Sequence, residues 1–308
     1  MRITFVLPPL NMSGGIRVLA IYAERLIKRG HRVEVVVLPK PRRKFRSKVK
    51  ALILGNGWPR EIMISPSHFD GLDIPLRFLS SSTPSAEEFP EADVVLATFW
   101  RTASVVANLP SDKGAKAILL QGYETSPGFE STEIDAVWRL GLRKIVISEW
   151  MVKLARDRFG DDKVFHVPNS VDLDLFYAMP RGKRDVPTVG FLYSSLHLKG
   201  VDVTYAAIDN IRRKYPTLRV ISFGAEPVEA SVPLPLGTEF YLCPEQELIR
   251  SVYESCDVWV CGSRREGFHL PPLEAMACRC PVVSTRVGGP MDTIVDGVNG
   301  YLVDVEDA

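Results

Sequence analysis

Two carboxylates in the second half of the chain, Glu266 and Glu274, stand on either side of a sharp turn. The apolar run from Asp257 to Gly262 predicts a buried strand, and the paired prolines that follow favour the first turn of a helix. Glu266 is then expected on the loop at the strand's carboxyl end, and Glu274 one turn into the helix. Because a helix start attracts anions, two carboxylates beside it favour a ligand rich in hydroxyl groups, which donate strong hydrogen bonds to charged oxygens.

The segment from Glu266 to Glu274 resembles the E-x7-E motif of family 4 retaining glycosyltransferases, enzymes with the two-Rossmann-domain architecture called GT-B. Other blocks of that family occur in the same order along nearly the whole chain. They are Ser13 to Gly15, Val167 to Asp172, Lys199 to Asp202, Val287 to Gly289, and Asp296 to Val303. Their joint order is more specific than any single block.

The resemblance implies a role for several residues of the second half. Glu266 would contact the hydroxyls of the donor sugar as a catalytic residue, and Glu274 would bind the ribose of the nucleotide. The backbone amides of Gly267 and Phe268 would lie near the sugar or a phosphate, where glycine permits close approach. Lys199, in a loop between a strand and a helix, would be the lysine that balances the charge of the diphosphate.

The chain departs from the family pattern at the phosphate site. The family usually has an arginine five residues before the lysine, and Ser194 occupies that position here. Arg264 or Arg265 could supply the missing guanidinium, which we treat as a hypothesis.

A glycine pair, Gly14 and Gly15, follows the first predicted strand and fits a tight turn that brings backbone against a ligand phosphate or the acceptor. The pattern G-x-G-x-x-G is absent, and no acidic residue is placed to hold an NAD ribose, so a dehydrogenase is rejected.

Gln121 follows another strand end, where many family members have a histidine close to the reacting sugar. An amide cannot shuttle a proton but can bond a hydroxyl. The arrangement from Gln121 to Glu124 resembles rhamnosyltransferase-like members. No histidine set at metal-ligand spacing occurs in the sequence. We therefore expect a mechanism without a metal or a further cofactor, in which lysine and helix amides stabilise the leaving diphosphate.

Strand and helix patterns alternate along the chain, which predicts an α/β fold with parallel sheets covered on both faces. A polar link at residues 179–187 interrupts the alternation. We predict a Rossmann-like acceptor-side domain over residues 1–178 and a Rossmann-like nucleotide-sugar domain over residues 188–308, with a cleft between them. Family members have further helices after the last predicted strand, so the second domain is expected to be incomplete.

Composition sets broad limits on partners and compartment. The net charge of +1, from 38 Lys and Arg against 37 Asp and Glu, argues against nucleic-acid binding. Five cysteines, an odd number without zinc spacing, favour a reducing compartment. The apolar run at the amino terminus is too short to form the core of a signal sequence, and no apolar run has membrane-spanning length. We expect a soluble cytoplasmic protein.

The densest charge run extends from Arg42 to Lys50, where six of nine residues are basic. It predicts either a peripheral contact with anionic lipid, which would suit a lipid-linked acceptor, or a basic loop of no special role.

The favoured interpretation is a metal-independent, retaining glycosyltransferase that moves a sugar from a nucleotide diphosphate donor to a glycan or lipid-linked acceptor. Retention would proceed by front-face attack, as the resemblance implies. Two alternatives stay open: a nucleotide-sugar 2-epimerase of the same architecture, and a truncated nucleotide-sugar binding protein without activity. An acceptor-free reaction would reveal the first, and donor binding without transfer the second.

Overall fold

A computed structural model describes residues 1–40, 66–123, 131–182 and 184–308 of the chain. These residues form two compact units, one made of Met1–Val146 with Ala155–Phe165 and the other of Ile147–Leu154 with His166–Ala308. The segment from Arg42 to Lys50, Glu124 and Lys183 lie outside the described residues, so the lipid-contact prediction stays a prediction.

The first unit alternates strands and helices. Its described strands are β1 (Arg2–Leu7), β2 (Arg32–Val37), β3 (Leu76–Phe78), β4 (Val94–Ala97), β5 (Ala115–Leu120), β6 (Arg143–Val146) and β7 (Phe165–His166). Its described helices are α1 (Gly14–Lys28), α2 (Trp100–Ala107), α3 (Ser131–Trp138) and α4 (Glu149–Phe159), the last of which contributes its first turns to the second unit. The strands form one sheet in the order β3-β2-β1-β4-β5-β6-β7.

The second unit repeats the same plan. Its strands are β8 (Thr188–Leu192), β9 (Arg219–Gly224), β10 (Thr238–Leu242), β11 (Val258–Cys261), β12 (Val282–Thr285) and β13 (Tyr301–Val303). Its helices are α5 (Val201–Lys214), α6 (Gln246–Ser255), α7 (Leu270–Ala277) and α8 (Pro290–Thr293). The sheet order is β10-β9-β8-β11-β12-β13, and every neighbouring pair is parallel.

The strands are apolar on both faces because helices cover both sides of each sheet. All residues of β1 after Arg2 are buried, as are the first four of β8. In the second unit, the Trp259 ring lies 4.6 Å from that of Tyr253 and 5.5 Å from that of Phe223, between centroids. This aromatic cluster joins α6 to β9 and β11 of the sheet.

Each sheet has a point where the strand order reverses, between β1 and β4 in the first unit and between β8 and β11 in the second. In open α/β sheets, the connections on the two sides of such a point leave a crevice at the carboxyl edge. Ligands of open α/β sheets bind in that crevice. The fold class predicted from the sequence, two parallel-sheet α/β domains, is confirmed.

The division into units differs from the predicted domain bounds. The predicted link at residues 179–187 packs on the second unit, where Arg181 Nη1 donates to Asp257 Oδ1 at 3.0 Å. Phe176 also belongs to the core of that unit. One charge of this polar stretch is paired with Asp257, just before β11, and the second unit already includes Ile147–Leu154 and then the chain from His166 onward.

Candidate functional site

The site in the second unit is built by the loops that follow β8 and β11, at the point where the strand order reverses. A short 3-10 turn, His197–Lys199, follows β8, and Gly200 then begins α5 in a left-handed conformation with φ of +56°. A Cβ on Gly200 would lie 1.8 Å from the carbonyl oxygen of Gly262, which follows β11. Only glycine permits the two loops to approach this closely, and the approach brings their side chains together.

The central contact is an ion pair between Lys199 and Glu266. The Lys199 Nζ lies 2.9 Å from both carboxylate oxygens of Glu266. Ser263 Oγ donates to Glu266 Oε1 at 2.8 Å. The Glu266 side chain is only 8% exposed, whereas that of Lys199 is 29% exposed. The ammonium is therefore the part of the pair that a ligand can reach from solvent.

The charge state of the pair follows from its surroundings. Burial acts to raise the pKa of Glu266, whereas charge on the neighbouring His269, the Lys199 ammonium and the Ser263 hydroxyl act to lower it, and the net pKa lies below the usual value. Glu266 is thus ionised at neutral pH, despite its burial. The ammonium thus helps to keep this carboxylate charged at the carboxyl edge of the sheet.

His269 packs beside this carboxylate. Its Nε2 lies 3.6 Å from Glu266 Oε1, and burial lowers its pKa to about 4. Its backbone has φ of +74°, a conformation that costs a non-glycine residue about 1 kcal/mol. Its Nδ1 is buried and has no hydrogen-bond partner in the described part of the chain. The sequence analysis assigned no role to this neutral imidazole.

Glu274 lies in α7 and is 4% exposed. The hydroxyl of Tyr253, from α6, donates to its Oε2 at 3.0 Å. The helix begins at Leu270, so the predicted position of Glu274 about one turn into a helix is confirmed. Its proposed contact with ribose stays a prediction. Tyr253 was not predicted as part of the site, because it lies 21 positions before Glu274 and shares no local pattern with it.

The loop between these carboxylates, residues 266–269, is called the donor loop, because the resemblance predicts contacts with the donor there. Its backbone is pressed against the loop that follows β12. A Cβ on Gly288 would lie 2.8 Å from the carbonyl oxygen of Glu266, and one on Gly289 would lie 2.2 Å from that of Phe268. The Val287 to Gly289 block found in the sequence thus supports the donor loop from below by close backbone packing.

The two arginines before Glu266 differ in position. Arg264 Nη1 and Nη2 donate to the two carboxylate oxygens of Asp202 at 2.8 and 2.7 Å, and the guanidinium also bonds Glu306 and the carbonyl of His197. This pairing lowers the pKa of Asp202 to about 2. Arg265 is exposed. For Arg264 to complete a phosphate clamp, as hypothesised from the sequence, it would have to leave two carboxylates, so the geometry does not favour that role.

The first unit brings together two other predicted residues. Gln121 Nε2, after β5, donates to the carbonyl oxygen of Gly15 at 3.3 Å. A Cβ on Gly15 would lie 3.4 Å from that same nitrogen, whereas Gly14, the first residue of α1, has open space beside it. The glycine pair and Gln121 therefore form one cluster at the carboxyl edge of the first sheet.

Comparison with known proteins identifies relatives of this fold. Residues 183–308 match the family model described as Glycosyl transferases group 1. The chain is 27% identical over 241 residues to the D-inositol 3-phosphate glycosyltransferase of Nocardiopsis dassonvillei, which covers 69% of this chain and 56% of that protein. It is 26% identical over 249 residues to a GDP-mannose-dependent phosphatidylinositol monomannoside mannosyltransferase of Mycolicibacterium smegmatis, which covers 70% of this chain and 65% of the relative. The chain thus spans less than two thirds of either relative.

A solved structure supports the fold. Anabaena HepE in complex with UDP and glucose superposes with a TM-score of 0.73, at 18% identity, over 100% of this chain and 86% of that one. The resemblance stated from the motifs is confirmed over residues 183–308, which match the group 1 glycosyl transferases, and the GT-B fold class is confirmed. Assignment to family 4 stays a prediction.

Proposed function

We propose, from the premise that residues 183–308 belong to the glycosyl transferases group 1 family, that this chain transfers a sugar from a nucleotide diphosphate donor to an acceptor hydroxyl. The observation that carries the proposal is the bidentate contact of Lys199 with Glu266 at the reversal point of the second sheet. A cation for phosphate and an anion for hydroxyls stand side by side at the edge where such folds bind nucleotides.

The bound donor would separate this ion pair, and Lys199 and Glu266 would each contact a different group of the donor. The exposed Lys199 ammonium would turn to the diphosphate, because two phosphates carry more negative charge than one carboxylate. Glu266, still held by Ser263, would accept hydrogen bonds from sugar hydroxyls. Glu274 would bind the ribose, and the amides of Gly267 and Phe268 would face oxygens of the bound donor.

The reaction would proceed with retention and without a metal ion. The bond from the anomeric carbon to the phosphate oxygen breaks, and its electron pair leaves with the diphosphate, whose charge Lys199 neutralises. The acceptor oxygen attacks the same face of the sugar, and its proton passes to the departing phosphate oxygen. Gln121, as an amide, would orient a hydroxyl and would not act as the base.

The acceptor class is proposed from the relatives. The names of the two curated relatives specify inositol phosphate and phosphatidylinositol mannoside acceptors. We propose a polar glycan or lipid-linked acceptor for this chain, used in the cytoplasm or at the inner face of the membrane. In the described part of the chain, the helices are too short or too polar to cross a bilayer.

A ligand screen followed by a transfer assay tests the proposal. UDP, GDP, ADP and their glucose or mannose conjugates are added to the chain, and the unfolding temperature is recorded. Binding at 100 times Kd is expected to add about 2.7 kcal/mol to the free energy of unfolding. The stabilising nucleotide sugar is then incubated with inositol phosphate and glycan acceptors, and the anomeric configuration of the product is read by NMR.

The outcomes separate the candidate functions. A glycoside with the donor's anomeric configuration supports retaining transfer, whereas an inverted product contradicts it. Conversion of the donor without an acceptor would indicate an epimerase. Stabilisation by nucleotide sugars without turnover would indicate a binding protein, and no stabilisation by any nucleotide would contradict the proposal as a whole.

A further inference from the structure

The carbonyl of Gly267, in the donor loop, is held by a segment far away in the sequence. We propose that Ser148 and Trp150 are positioning residues that fix the Gly267–Phe268 peptide, so that the Phe268 amide donates to an oxygen of the bound nucleotide sugar. This inference rests on the proposed function. It assigns a role in donor binding to a stretch that precedes the second sheet by some forty positions and that no motif marked.

Two donors converge on one oxygen atom. Ser148 Oγ donates to the carbonyl oxygen of Gly267 at 3.2 Å, and the indole Nε1 of Trp150 donates to the same oxygen at 2.9 Å. Ser148 is fully buried, and both residues belong to the second unit through the stretch Ile147–Leu154. A single donor would satisfy a carbonyl, but two donors from different directions also restrict its rotation.

Because the peptide bond is planar, fixing the carbonyl of Gly267 also fixes the direction of the Phe268 N–H. No peptide bond of the described chain is cis, so the N–H of Phe268 points opposite to the carbonyl of Gly267. Within the described ranges the Phe268 amide donates to no acceptor, although the residue is only 4% exposed. A buried amide without an acceptor is rare in proteins. An oxygen of a bound ligand would satisfy it.

The segment that holds the carbonyl is itself anchored. The backbone N–H of Glu149 donates to Asp292 Oδ2 at 3.0 Å, and Asp292 lies in α8, directly after the Gly288 and Gly289 pair. That pair packs against the carbonyls of Glu266 and Phe268. The donor loop is thus restrained at three successive carbonyls by two segments that one hydrogen bond links to each other.

A purely structural role makes a different prediction. If the two bonds only satisfied a buried carbonyl, their loss would lower stability and leave ligand affinity unchanged in the folded fraction. If they aim the Phe268 amide, their loss also weakens donor binding. Affinity measured well below the unfolding temperature therefore distinguishes the two roles.

Four variants of the full chain test the proposal. Trp150→Phe keeps an aromatic ring and removes the N–H, Ser148→Ala removes the hydroxyl, and Ser148→Thr retains it. Trp100→Phe is the matched control, because Trp100 is also half-buried and belongs to the first unit. The probes are UDP, GDP and ADP with their glucose or mannose conjugates, and Kd is measured by isothermal titration calorimetry.

Trp150→Phe and Ser148→Ala are each expected to weaken binding of the cognate probe by roughly threefold to tenfold, as the loss of one hydrogen bond predicts. Ser148→Thr and Trp100→Phe should bind as the unchanged chain does. If only the sugar conjugate binds more weakly, the Phe268 amide lies at a sugar oxygen. If the nucleoside diphosphate binds more weakly by the same factor, the amide lies at a phosphate oxygen. Both results support the proposal.

The inference is overturned if the unchanged chain binds a probe and both Trp150→Phe and Ser148→Ala bind it equally well. A chain that binds none of the probes overturns the proposed function as well, so the two failures are distinguishable. Selective ¹⁵N labelling of phenylalanine adds a direct readout. The Phe268 amide resonance should move on donor binding in the unchanged chain and move less in Trp150→Phe.

Discussion

At the scale of single residues, the site depends on a carboxylate that stays charged although it is almost fully buried. Glu266 is ionised because Lys199 contacts both of its oxygens and Ser263 bonds one of them. Burying such a carboxylate costs free energy, but the buried carboxylate accepts strong hydrogen bonds. A second Lys–Glu pair, Lys28 with Glu24 on the surface of α1 at 2.8 Å, offers a solvated counterpart for comparison.

Replacing Glu266 by glutamine tests the importance of this charge. Hydrogen bonds to a carboxylate exceed those to an amide by about 1–2 kcal/mol, so Glu266→Gln is expected to lower kcat/KM for donor turnover by roughly tenfold or more. Glu24→Gln should leave kcat/KM unchanged. Equal kcat/KM in Glu266→Gln and the unchanged chain would show that the carboxylate does not bind the sugar.

His269 predicts a pH dependence of stability. Its pKa is lowered from 6.5 to about 4 by burial, so the unfolded chain takes up a proton before the folded chain does. Stability is therefore fully present above pH 6.5 and falls as the pH drops from 6.5 to 4, by about 3 kcal/mol. Urea unfolding at a series of pH values measures this loss.

The control for this experiment uses a residue that tolerates the same backbone. His269→Asn should flatten the slope between pH 6.5 and 4, since asparagine adopts positive φ and does not titrate there. His197→Asn, at an exposed histidine, should keep it. If His269→Asn retains the full slope, the imidazole is not the group responsible.

At the scale of elements, the strand pattern made much of the fold predictable. The continuous apolar run from Asp257 to Gly262 marked β11 to within one residue at each end, because strands buried on both faces have no polar alternation. β3 was missed, because three residues at a sheet edge give no periodic signal. β7 is only two residues long, Phe165–His166, and is likewise too short to give a periodic signal.

The site was predictable in part for the same reason. Lys199 and Glu266 were each placed at strand ends from local patterns, but their direct contact depends on β8 lying next to β11, which only the sheet order reveals. Ser148 and Trp150 had no local signal, because they are 119 and 117 positions from Gly267. A rule that examines each strand's carboxyl end would have singled out Ser148, which closely follows β6.

Gly200 tests the close approach of the loops after β8 and β11. Gly200→Ala forces an alanine into a left-handed backbone conformation and also places a Cβ 1.8 Å from the carbonyl oxygen of Gly262. Gly297→Ala adds only the first of these, since Gly297 has φ of +74° and no atom within 4 Å. We expect a loss of about 1 kcal/mol for Gly297→Ala and about 3 kcal/mol or more for Gly200→Ala, measured by urea unfolding. Equal losses would refute the close approach.

At the scale of the whole molecule, two units of the same strand order each carry a reversal point, and the two are chemically different. The second unit has the ion pair and the buried carboxylates, while the first has the glycine pair bonded to Gln121. The proposed function would use this asymmetry, with the charge on one unit for the diphosphate and the neutral amide on the other for hydroxyls.

Hydrogen exchange gives a map of where the donor binds. Addition of the nucleotide sugar should slow amide exchange at residues 197–200 and in the donor loop, because binding orders these segments and excludes water. Strands β9 and β2, whose amides are already bonded within the sheets, should show little change. Slowing confined to the first unit would contradict the assignment of the donor to the second.

The most direct test of the central claim is calorimetric titration of a nucleoside diphosphate against Lys199→Met, with the exposed Lys28→Met as the matched control. Because charge-assisted bonds contribute about 1.5–3 kcal/mol, we predict that Lys199→Met weakens diphosphate binding tenfold or more, while Lys28→Met binds as the unchanged chain does. Equal affinity in Lys199→Met and the unchanged chain would contradict the claim that this ammonium receives the donor's diphosphate.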